Sequence, residues 1–276
     1  MALLTVQDLH VTYRTPGQKP VEAVRGVSFE INAGESLGIV GESGCGKSSL
    51  AKTIIGLQPP SAGTLLFEGR DLGRMDAEAF RLYRRAVQMI FQDAVGSLNP
   101  RMTVRQTLEE VLRVHRRVAA EKTDARVGEL IERVGLPETV LGTYPREMSG
   151  GQCQRVSIAR CLALEPRLII ADEPVSALDV SVQARILNLI RSLQKDLGLA
   201  IVLISHDLAV VRNICDRVAV MYAGEFVECG PTDAVLDAPR HAYTRDLLSA
   251  VPDIGRALKE RGAARRPVPT LLTPNS

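Results

Sequence analysis

The 276-residue sequence has no long apolar run and little excess charge. Its longest strongly apolar stretch, LGLAIVLI, has the length of a strand, whereas a helix that spans a bilayer needs about 20 apolar residues. The first segment, MALLTVQDLH, lacks a basic region and contains Asp8, so we expect no signal peptide. A net charge of +2 is too small to indicate a nucleic-acid partner. We therefore expect a cytoplasmic protein without nucleic acid, which would serve a membrane only through other subunits.

Apolar patterning along the chain predicts an α/β fold. Residues 1–35 alternate between apolar and polar side chains, which is typical of antiparallel strands. Residues 167–174 and 200–207 contain short, continuously apolar strands, and strands that alternate with helices favour a mainly parallel sheet. Residues 103–140 instead show helical spacing, which predicts a helical insertion. Its apolar positions are Leu108, Val111, Leu112, Val127, Leu130, Ile131 and Val134.

Three segments in the second half of the chain each have a sequence pattern that predicts their structure. Residues 182–198 predict an amphipathic helix, and residues 218–230 predict a hairpin that turns at Ala223 and Gly224. From residue 253 the sequence becomes basic and then proline-rich, with little to bury, so we expect a mobile tail at 253–276. The apolar face of the predicted helix consists of Val182, Ile186, Leu189, Ile190, Leu193 and Leu197.

The segment GESGCGKS at residues 41–48 matches the phosphate-binding pattern G-x-x-x-x-G-K-[ST] between a predicted strand and a predicted helix. Glycines in such a loop let backbone N–H groups surround phosphates without a clash from Cβ. Lys47 would supply a positive charge to the β- and γ-phosphates, and the Ser48 hydroxyl is a candidate ligand of Mg²⁺. The segment therefore predicts a nucleotide site, with candidate contacts at Gly41, Glu42, Ser43, Gly44, Cys45, Gly46, Lys47, Ser48 and Ser49.

Two adjacent acids end the apolar strand of LIIADEP, at the edge of the sheet where α/β proteins bind ligands. Asp172 is predicted to hold Mg²⁺, directly or through water. Glu173 is predicted to orient and polarise the attacking water. Adjacent acids can also do no more than cap the following turn, with Pro174 ending the strand. The complete phosphate motif in the same chain favours the catalytic interpretation.

Three single residues extend the predicted site. Gln92 ends the segment VQMIFQ, where it could contact both Mg²⁺ and the water, and His206 follows the strand AIVLIS, where it could donate to the γ-phosphate. A lone Gln or His at a strand end is also compatible with a purely structural role. Tyr13 follows the first alternating strand and could stack on adenine, although an edge-strand tyrosine that packs on its neighbour is an equally good explanation.

A second predicted anion site lies in MSGGQ, where Ser149, Gly150, Gly151 and Gln152 begin a helix. The N–H groups of a helix start bind anions readily. The chain has one phosphate-binding loop and so one nucleotide. This second site would therefore close on the nucleotide of another chain in a head-to-tail dimer, unless the two glycines merely form a tight turn into the helix.

The five cysteines show neither C-x-x-C pairs nor metal-ligand spacing, so we expect reduced thiols without a metal. Cys45 lies in the phosphate loop and Cys153 follows SGGQ. Helix starts lower thiol pKa values. We therefore hypothesise that both thiols are reactive, that alkylation of either inhibits and that ATP protects both. The alternative is that both thiols are inert small side chains that fill space.

The ordered set Tyr13, GESGCGKS, Gln92, MSGGQ, LIIADEP, SALD and His206 resembles the nucleotide-binding subunits of ABC transporters over about residues 1–250. The resemblance implies a P-loop NTPase core of mainly parallel sheet, with an N-terminal antiparallel β subdomain. It also implies an inserted helical subdomain at about residues 93–165, within an ATP-binding domain at 1–252.

The same resemblance assigns roles to the motifs. SGGQ would contact the ATP of the partner, SALD would communicate between the two sites, and Gln92 would lie where a membrane subunit docks. Met148 stands where leucine is commoner, an apolar change of similar volume that we expect to matter little.

Residues 91–104 and 240–252 are similar to the ATPases of oligopeptide, dipeptide and nickel importers. This similarity implies a second ATPase subunit, identical or different, two transmembrane permease subunits and, indirectly, a solute-binding protein. It places the chain on the cytoplasmic face of the inner membrane. Residues 179–190 also resemble an ATPase-like protein of phosphonate breakdown, so a subunit of a soluble metabolic complex is the alternative. The sequence leaves peptide and nickel open.

Overall fold

The computed structural model describes residues 2–17, 19–115 and 118–249, so the tail predicted at 253–276 lies outside the described residues. The strands are β1 (Leu4–Tyr13), β2 (Val21–Ile31), β3 (Ser36–Val40), β4 (Ala62–Phe67), β5 (Arg70–Asp71), β6 (Val87–Ile90), β7 (Leu168–Asp172), β8 (Ala200–Ser205), β9 (Arg217–Tyr222) and β10 (Glu225–Pro231). The helices are α1 (Lys47–Ile54), α2 (Ala77–Ala86), α3 (Val104–Val114), α4 (Thr123–Arg133), α5 (Gly150–Leu162), α6 (Val180–Leu197), α7 (Leu208–Ile214), α8 (Thr232–Asp237) and α9 (Ala242–Ser249). Short 3₁₀ turns lie at Leu72–Arg74, Ala120–Lys122, Glu138–Gly142 and Pro145–Glu147.

The strands form two sheets. The antiparallel sheet has the order β2-β1-β4-β5, and the six-stranded sheet has the order β10-β9-β3-β8-β7-β6. In the larger sheet the strands β9, β3, β8, β7 and β6 are parallel, and β10 returns antiparallel along β9. The predicted α/β class is therefore confirmed. The antiparallel sheet is not entirely N-terminal, because the chain enters the parallel sheet at β3 and returns to the antiparallel sheet with β4 and β5.

The parallel strands are buried on both faces, which explains their continuously apolar sequences. Along β7, Ile169 faces a core shared with the helices of the insertion, and Ile170 faces a second core shared with the antiparallel sheet. Leu203 and Val202 of β8 alternate between the two cores in the same way. This two-sided packing fixes the carboxyl ends of β3, β8 and β7 side by side at one edge of the sheet.

The predicted helical insertion is present between β6 and β7. Helices α3 and α4 turn their apolar faces inward, so that each predicted position except the half-buried Val111 is buried. Thr103 begins α3 with a capping box that it shares with Gln106, a motif that satisfies two N–H groups which the first turn would otherwise leave without partners. The insertion ends with α5, which leads the chain back into the core at β7.

The predicted amphipathic helix is α6. Its Ile186, Ile190 and Leu193 are buried, whereas Leu197 is 40% exposed because it lies in the last turn before Gly198, which ends the helix in a left-handed conformation. The predicted hairpin joins β9 to β10, and both turn residues are left-handed, with φ of 47° at Ala223 and 92° at Gly224. Within the part of the chain that the structure describes, no helix is long and apolar enough to cross a membrane.

Candidate nucleotide site

The loop at residues 41–46 joins the buried end of β3 to the start of α1. Its backbone is strongly constrained, because Gly41 has φ of 152° and Gly46 has φ of 113°. A Cβ at Gly41 would lie 2.1 Å from the Met221 carbonyl oxygen, and one at Gly46 would lie 2.1 Å from the Ala23 carbonyl oxygen. No side chain fits at either position. The loop therefore owes its shape to close contacts with the β2 strand and the end of β9.

Replacing Gly46 with alanine is expected to destroy the loop, because the new Cβ must displace backbone rather than a flexible side chain. We expect Gly46→Ala to lower the free energy of unfolding by about 3 kcal/mol or more, from the clash and the strained φ together. Gly44→Ala is the matched control. Gly44 is also left-handed, at φ of 82°, but has no atom within 4 Å of a Cβ. Gly44→Ala should lower the free energy of unfolding by only about 1 kcal/mol. Urea denaturation of both variants would measure the difference, and equal losses would contradict this account.

The start of α1 offers its N–H groups to an anion. Gly46 precedes the helix without a side-chain cap, and the first turn contains no acidic residue. Lys47 is only 5% exposed, and its Nζ donates to the carbonyl oxygens of Gly41 and Glu42 at 2.7 Å each. Bare helical N–H groups beside a buried ammonium form a strongly positive cradle, which is the electrostatic requirement for binding phosphates.

Asp172 lies at the end of β7, directly against this cradle. Its Oδ1 accepts a hydrogen bond from the Ser48 hydroxyl at 3.4 Å, and its side chain is buried with a residue exposure of 8%. Burial raises the pKa of Asp172 above its ordinary value, and the Glu173 charge adds to this rise. The Ser48 hydrogen bond and the Lys47 and Lys52 charges oppose it.

Glu173 is the centre of a cluster drawn from three segments. Its Oε2 accepts from Gln92 Nε2 at 3.1 Å, and His206 Nδ1 lies 3.3 Å from its Oε1. Gln92 Nε2 also lies 3.3 Å from Ser176 Oγ. The Glu173 backbone is left-handed at φ of 46°, and its N–H donates to the Ile204 carbonyl at 2.9 Å. A non-glycine residue held in that conformation is costly, and such residues concentrate at functional sites.

The structure thus brings together Lys47, Ser48, Asp172, Glu173, Gln92 and His206, as the sequence predicted, with one change of detail. Strand β6 ends at Ile90, so Gln92 follows the strand by two residues rather than ending it. Tyr13 ends β1 and is half-buried, and its hydroxyl donates to Ser49 Oγ at 3.3 Å. This contact fixes an aromatic ring beside the start of α1.

The SGGQ segment begins α5, and its polar groups bond within the segment. Ser149 and Gln152 form a capping box, with distances of 2.9 Å and 3.3 Å. Ser149 and Gly150 are exposed. A Cβ at Gly151 would lie 2.5 Å from Val182 Cγ1, so this glycine permits close packing of α5 on α6. The helix start therefore faces outward, and nothing within the described part of the chain places it on the chain's own phosphate cradle.

The SALD segment forms a loop that contacts both the Glu173 cluster and the SGGQ helix. Ser176 contacts Gln92 in the Glu173 cluster, and the Leu178 side chain lies 3.1 Å from where a Cβ of Gly150 would be. Gln183 Nε2 donates to the carbonyls of Val175 and Leu178 at 3.0 Å each, which holds the loop against α6. A displacement of this loop would therefore reach both the acidic cluster and the SGGQ helix.

The hypothesis that Cys153 is a reactive thiol is wrong. Cys153 is fully buried, its Sγ contacts the Pro145 carbonyl oxygen at 3.5 Å, and burial raises rather than lowers its pKa. The apolar surroundings of Cys153 therefore affect its pKa more than its position near the helix start does. Cys45 is 8% exposed, and its protection by ATP stays a prediction. Among the described residues, no group of three or more His, Cys, Asp or Glu side chains could hold a metal ion.

Sequence reasoning missed the outer support of the phosphate loop. The Gly224 N–H donates to the Cys45 carbonyl at 3.0 Å, and the Tyr243 hydroxyl accepts from the Glu42 N–H at 2.9 Å. The sequence indicates Gly224 as a turn residue and places Tyr243 in a C-terminal segment with a family resemblance. Neither local pattern shows that these residues reach a loop about 200 residues earlier in the chain, which needs the order of strands β3, β9 and β10.

Comparison with known proteins agrees with this geometry. The ABC transporter family model matches residues 24–176, more than half of the chain, and the model for the oligopeptide/dipeptide transporter C-terminal region matches residues 227–276. The chain is 47% identical over 259 residues to the oligopeptide transport ATP-binding protein OppF of Haemophilus influenzae, covering 91% of this chain and 78% of the relative. It is 51% identical over 235 residues to OppF of Salmonella typhimurium, covering 85% and 70%.

A solved structure shows the same fold. The dimeric ATP-binding cassette MJ0796, in a post-hydrolysis state bound to ADP and Pi, superposes with a TM-score of 0.75 at 29% identity, over 83% of this chain and 98% of that one. The predicted ABC ATPase fold and ATPase activity are therefore confirmed. The chain therefore belongs to the ABC transporter family, as an ATP-binding subunit that hydrolyses ATP, which is shown by its phosphate loop, its strand-end acids, the family match and these relatives.

Proposed function

We propose that the chain hydrolyses ATP to drive the uptake of oligopeptides. In this proposal it works on the cytoplasmic face of the membrane with a second ATPase subunit, two permease subunits and a solute-binding protein. The observation that carries the substrate class is the match of residues 227–276 to the oligopeptide/dipeptide C-terminal region, supported by relatives named for oligopeptide transport.

Uptake by cells that lack this chain tests the proposal. Such cells are expected to lose uptake of a labelled tripeptide and to regain it with the wild-type chain, while uptake of labelled Ni²⁺ stays unchanged. Loss of Ni²⁺ uptake alone would contradict the peptide substrate. Affinity purification of the full chain should recover membrane permease subunits. Recovery of soluble enzymes alone would instead support the metabolic-complex alternative and overturn transport.

In the proposed site, the side-chain oxygens of Ser48, Asp172 and Gln92 would hold Mg²⁺. The residues fit this ion, because Mg²⁺ prefers oxygen ligands and is usually held by one or two carboxylates together with substrate phosphates and water. The Ser48 hydroxyl and Asp172 Oδ1 lie 3.4 Å apart beside the phosphate loop, so the structure places two oxygen donors together at this position. When bound, Mg²⁺ would neutralise charge on the β- and γ-phosphates.

Glu173 is proposed to accept the proton of the attacking water. Gln92 donates to one oxygen of this carboxylate, and His206 lies 3.3 Å from the other, so two neighbours that follow different strands fix its plane. A base held in one orientation loses no free energy to reorientation when it accepts the proton of the water. His206 is 62% exposed at its side chain, which leaves it accessible to a γ-phosphate beside Glu173. Lys47 and the N–H groups of α1 would bind the triphosphate itself.

The SGGQ helix is proposed to complete the site of a second subunit. Its exposed start carries N–H groups suited to a phosphate, and its local hydrogen bonds leave it facing outward. A head-to-tail dimer would place this start on the partner's γ-phosphate. Binding of ATP would then hold the two subunits together, and hydrolysis would release them.

Mixing two inactive variants tests this arrangement. Ser149→Asp keeps a good helix cap but adds a negative charge that repels phosphate, and Lys47→Ala damages the loop that binds the triphosphate. Each variant alone is expected to be inactive. A mixed dimer keeps one intact site, built from the loop of one chain and the SGGQ of the other, so ATPase activity should return on mixing.

Ser149→Asn is the matched control for this test, because it keeps the cap without the charge. It should retain most of the wild-type activity. Failure of the two inactive variants to rescue each other would contradict a site shared between two copies of this chain.

A further inference from the structure

The C-terminal helix α9 contacts the phosphate loop through one side chain. The Tyr243 hydroxyl accepts a hydrogen bond from the Glu42 N–H at 2.9 Å, although the two residues are 201 positions apart. Glu42 lies in the exposed part of the loop, and the carbonyl that shares a peptide unit with its N–H, that of Gly41, accepts from Lys47 Nζ at 2.7 Å. The hydroxyl thus holds the N–H end of the Gly41–Glu42 peptide unit, whose carbonyl end contacts the lysine.

Tyr243 is itself firmly positioned. Its ring packs on that of Tyr222, the last residue of β9, with centroids 4.3 Å apart at an angle of 41°. The Glu228 carboxylate of β10 accepts hydrogen bonds from the backbone N–H groups of Arg240 and His241 at 2.9 Å and 3.1 Å. These bonds fix the segment that leads into α9. The tyrosine therefore reaches the loop from a support that is anchored to the parallel sheet.

The exposed part of the loop has few other hydrogen bonds, one of which runs within the loop from the Cys45 N–H to the Glu42 carbonyl at 3.3 Å. Glu42, Ser43 and Gly44 are exposed, whereas the second half is held by the Gly224 N–H on the Cys45 carbonyl. The carbonyls of Gly41 and Glu42 in turn accept from Lys47 Nζ at 2.7 Å each. Rotation of the Glu42 peptide would therefore redirect the lysine as well as the loop. The Tyr243 hydrogen bond opposes that rotation from outside.

We infer that Tyr243 is a positioning residue for the nucleotide, which holds the Glu42 peptide so that the loop and Lys47 keep the conformation that binds the triphosphate. The inference rests on the proposed placement of ATP at this loop. Because coupling between two binding events is reciprocal, nucleotide bound at the loop should also stabilise the docking of α9. The C-terminal region matched by the oligopeptide family model would thereby respond to the nucleotide.

Tyr243→Phe in the full-length chain is the direct test, because it removes the hydroxyl and keeps the ring on Tyr222. The dissociation constant for ATP with Mg²⁺, measured by calorimetry, is expected to rise about three- to tenfold, the loss for one hydrogen bond. The KM for ATP should rise by the same factor while kcat at saturating ATP is unchanged. Tyr222→Phe is the matched control, which keeps the same ring pair and should bind ATP like the wild type.

Hydrogen exchange supplies a second readout that a purely structural role would not change. ATP is expected to slow amide exchange in residues 242–249 of the wild type and to have a smaller effect in Tyr243→Phe. Equal ATP affinity in the wild type and in Tyr243→Phe would overturn the inference, even if the variant were less stable. A wild-type chain that binds no nucleotide would instead overturn the proposed placement of ATP, and the inference with it.

Discussion

Glu173→Gln is expected to bind ATP normally and to hydrolyse it at least about 100-fold more slowly, the scale of a lost general base. Glutamine has the same shape and keeps one oxygen acceptor for the cluster of Gln92 and His206, so the geometry of the site should survive. An amide cannot accept the proton of the attacking water at neutral pH. Because hydrolysis would no longer separate the subunits, the variant should also accumulate as an ATP-bound dimer.

Two measurements separate chemistry from binding in this variant. Single-turnover phosphate release gives the hydrolysis rate, and size-exclusion chromatography with and without ATP gives the dimer fraction. Glu165→Gln is the matched control, since Glu165 is also a glutamate with a left-handed backbone, at φ of 52°, but pairs with Arg126 on the helical insertion. The control should hydrolyse ATP at the wild-type rate. Normal turnover by Glu173→Gln would exclude Glu173 as the base.

The residues that the sequence identified are those whose chemistry is local. The phosphate loop, the acids after β7 and the polar residues after β6 and β8 each follow a recognisable apolar strand. Since parallel strands end at one edge of a sheet, their convergence could be predicted without coordinates. The capping box of Ser149 and Gln152 and the turn at Ala223 and Gly224 are likewise encoded within a few residues.

The residues that the sequence did not identify depend on packing between distant segments. Tyr243 lies in a short helix. The sequence pattern of this helix shows neither the ring that packs on Tyr243 nor the hydrogen bond that its hydroxyl accepts from the Glu42 N–H. Cys153 has the position of a reactive thiol, but its pKa is set by burial among side chains from other elements. The return of β4 and β5 to the antiparallel sheet is also a property of strand pairing, which periodicity alone does not specify.

Lys47→Ala is expected to weaken ATP binding at least about 100-fold, which corresponds to the loss of one or two hydrogen bonds to a charged group. The lysine is the buried charge of the phosphate cradle, and its Nζ is already desolvated by the loop carbonyls that it contacts. Its attraction to a triphosphate would therefore be little screened by water. Alanine removes this charge, and it also leaves the carbonyls of Gly41 and Glu42 without their donor, so the loop should become less ordered.

Lys52→Ala on the same helix shows whether charge alone accounts for the loss. Lys52 also contributes positive charge near Asp172, but it is exposed in the last turn of α1 and faces solvent rather than the loop. Its removal should change ATP affinity less than about twofold, because exposed charges are screened within about 10 Å at ordinary salt. Fluorescent ATP titration of both variants, with circular dichroism to check folding, measures the contrast. Comparable losses in the two variants would mean that net positive charge, and not the buried ammonium inside the loop, binds the triphosphate.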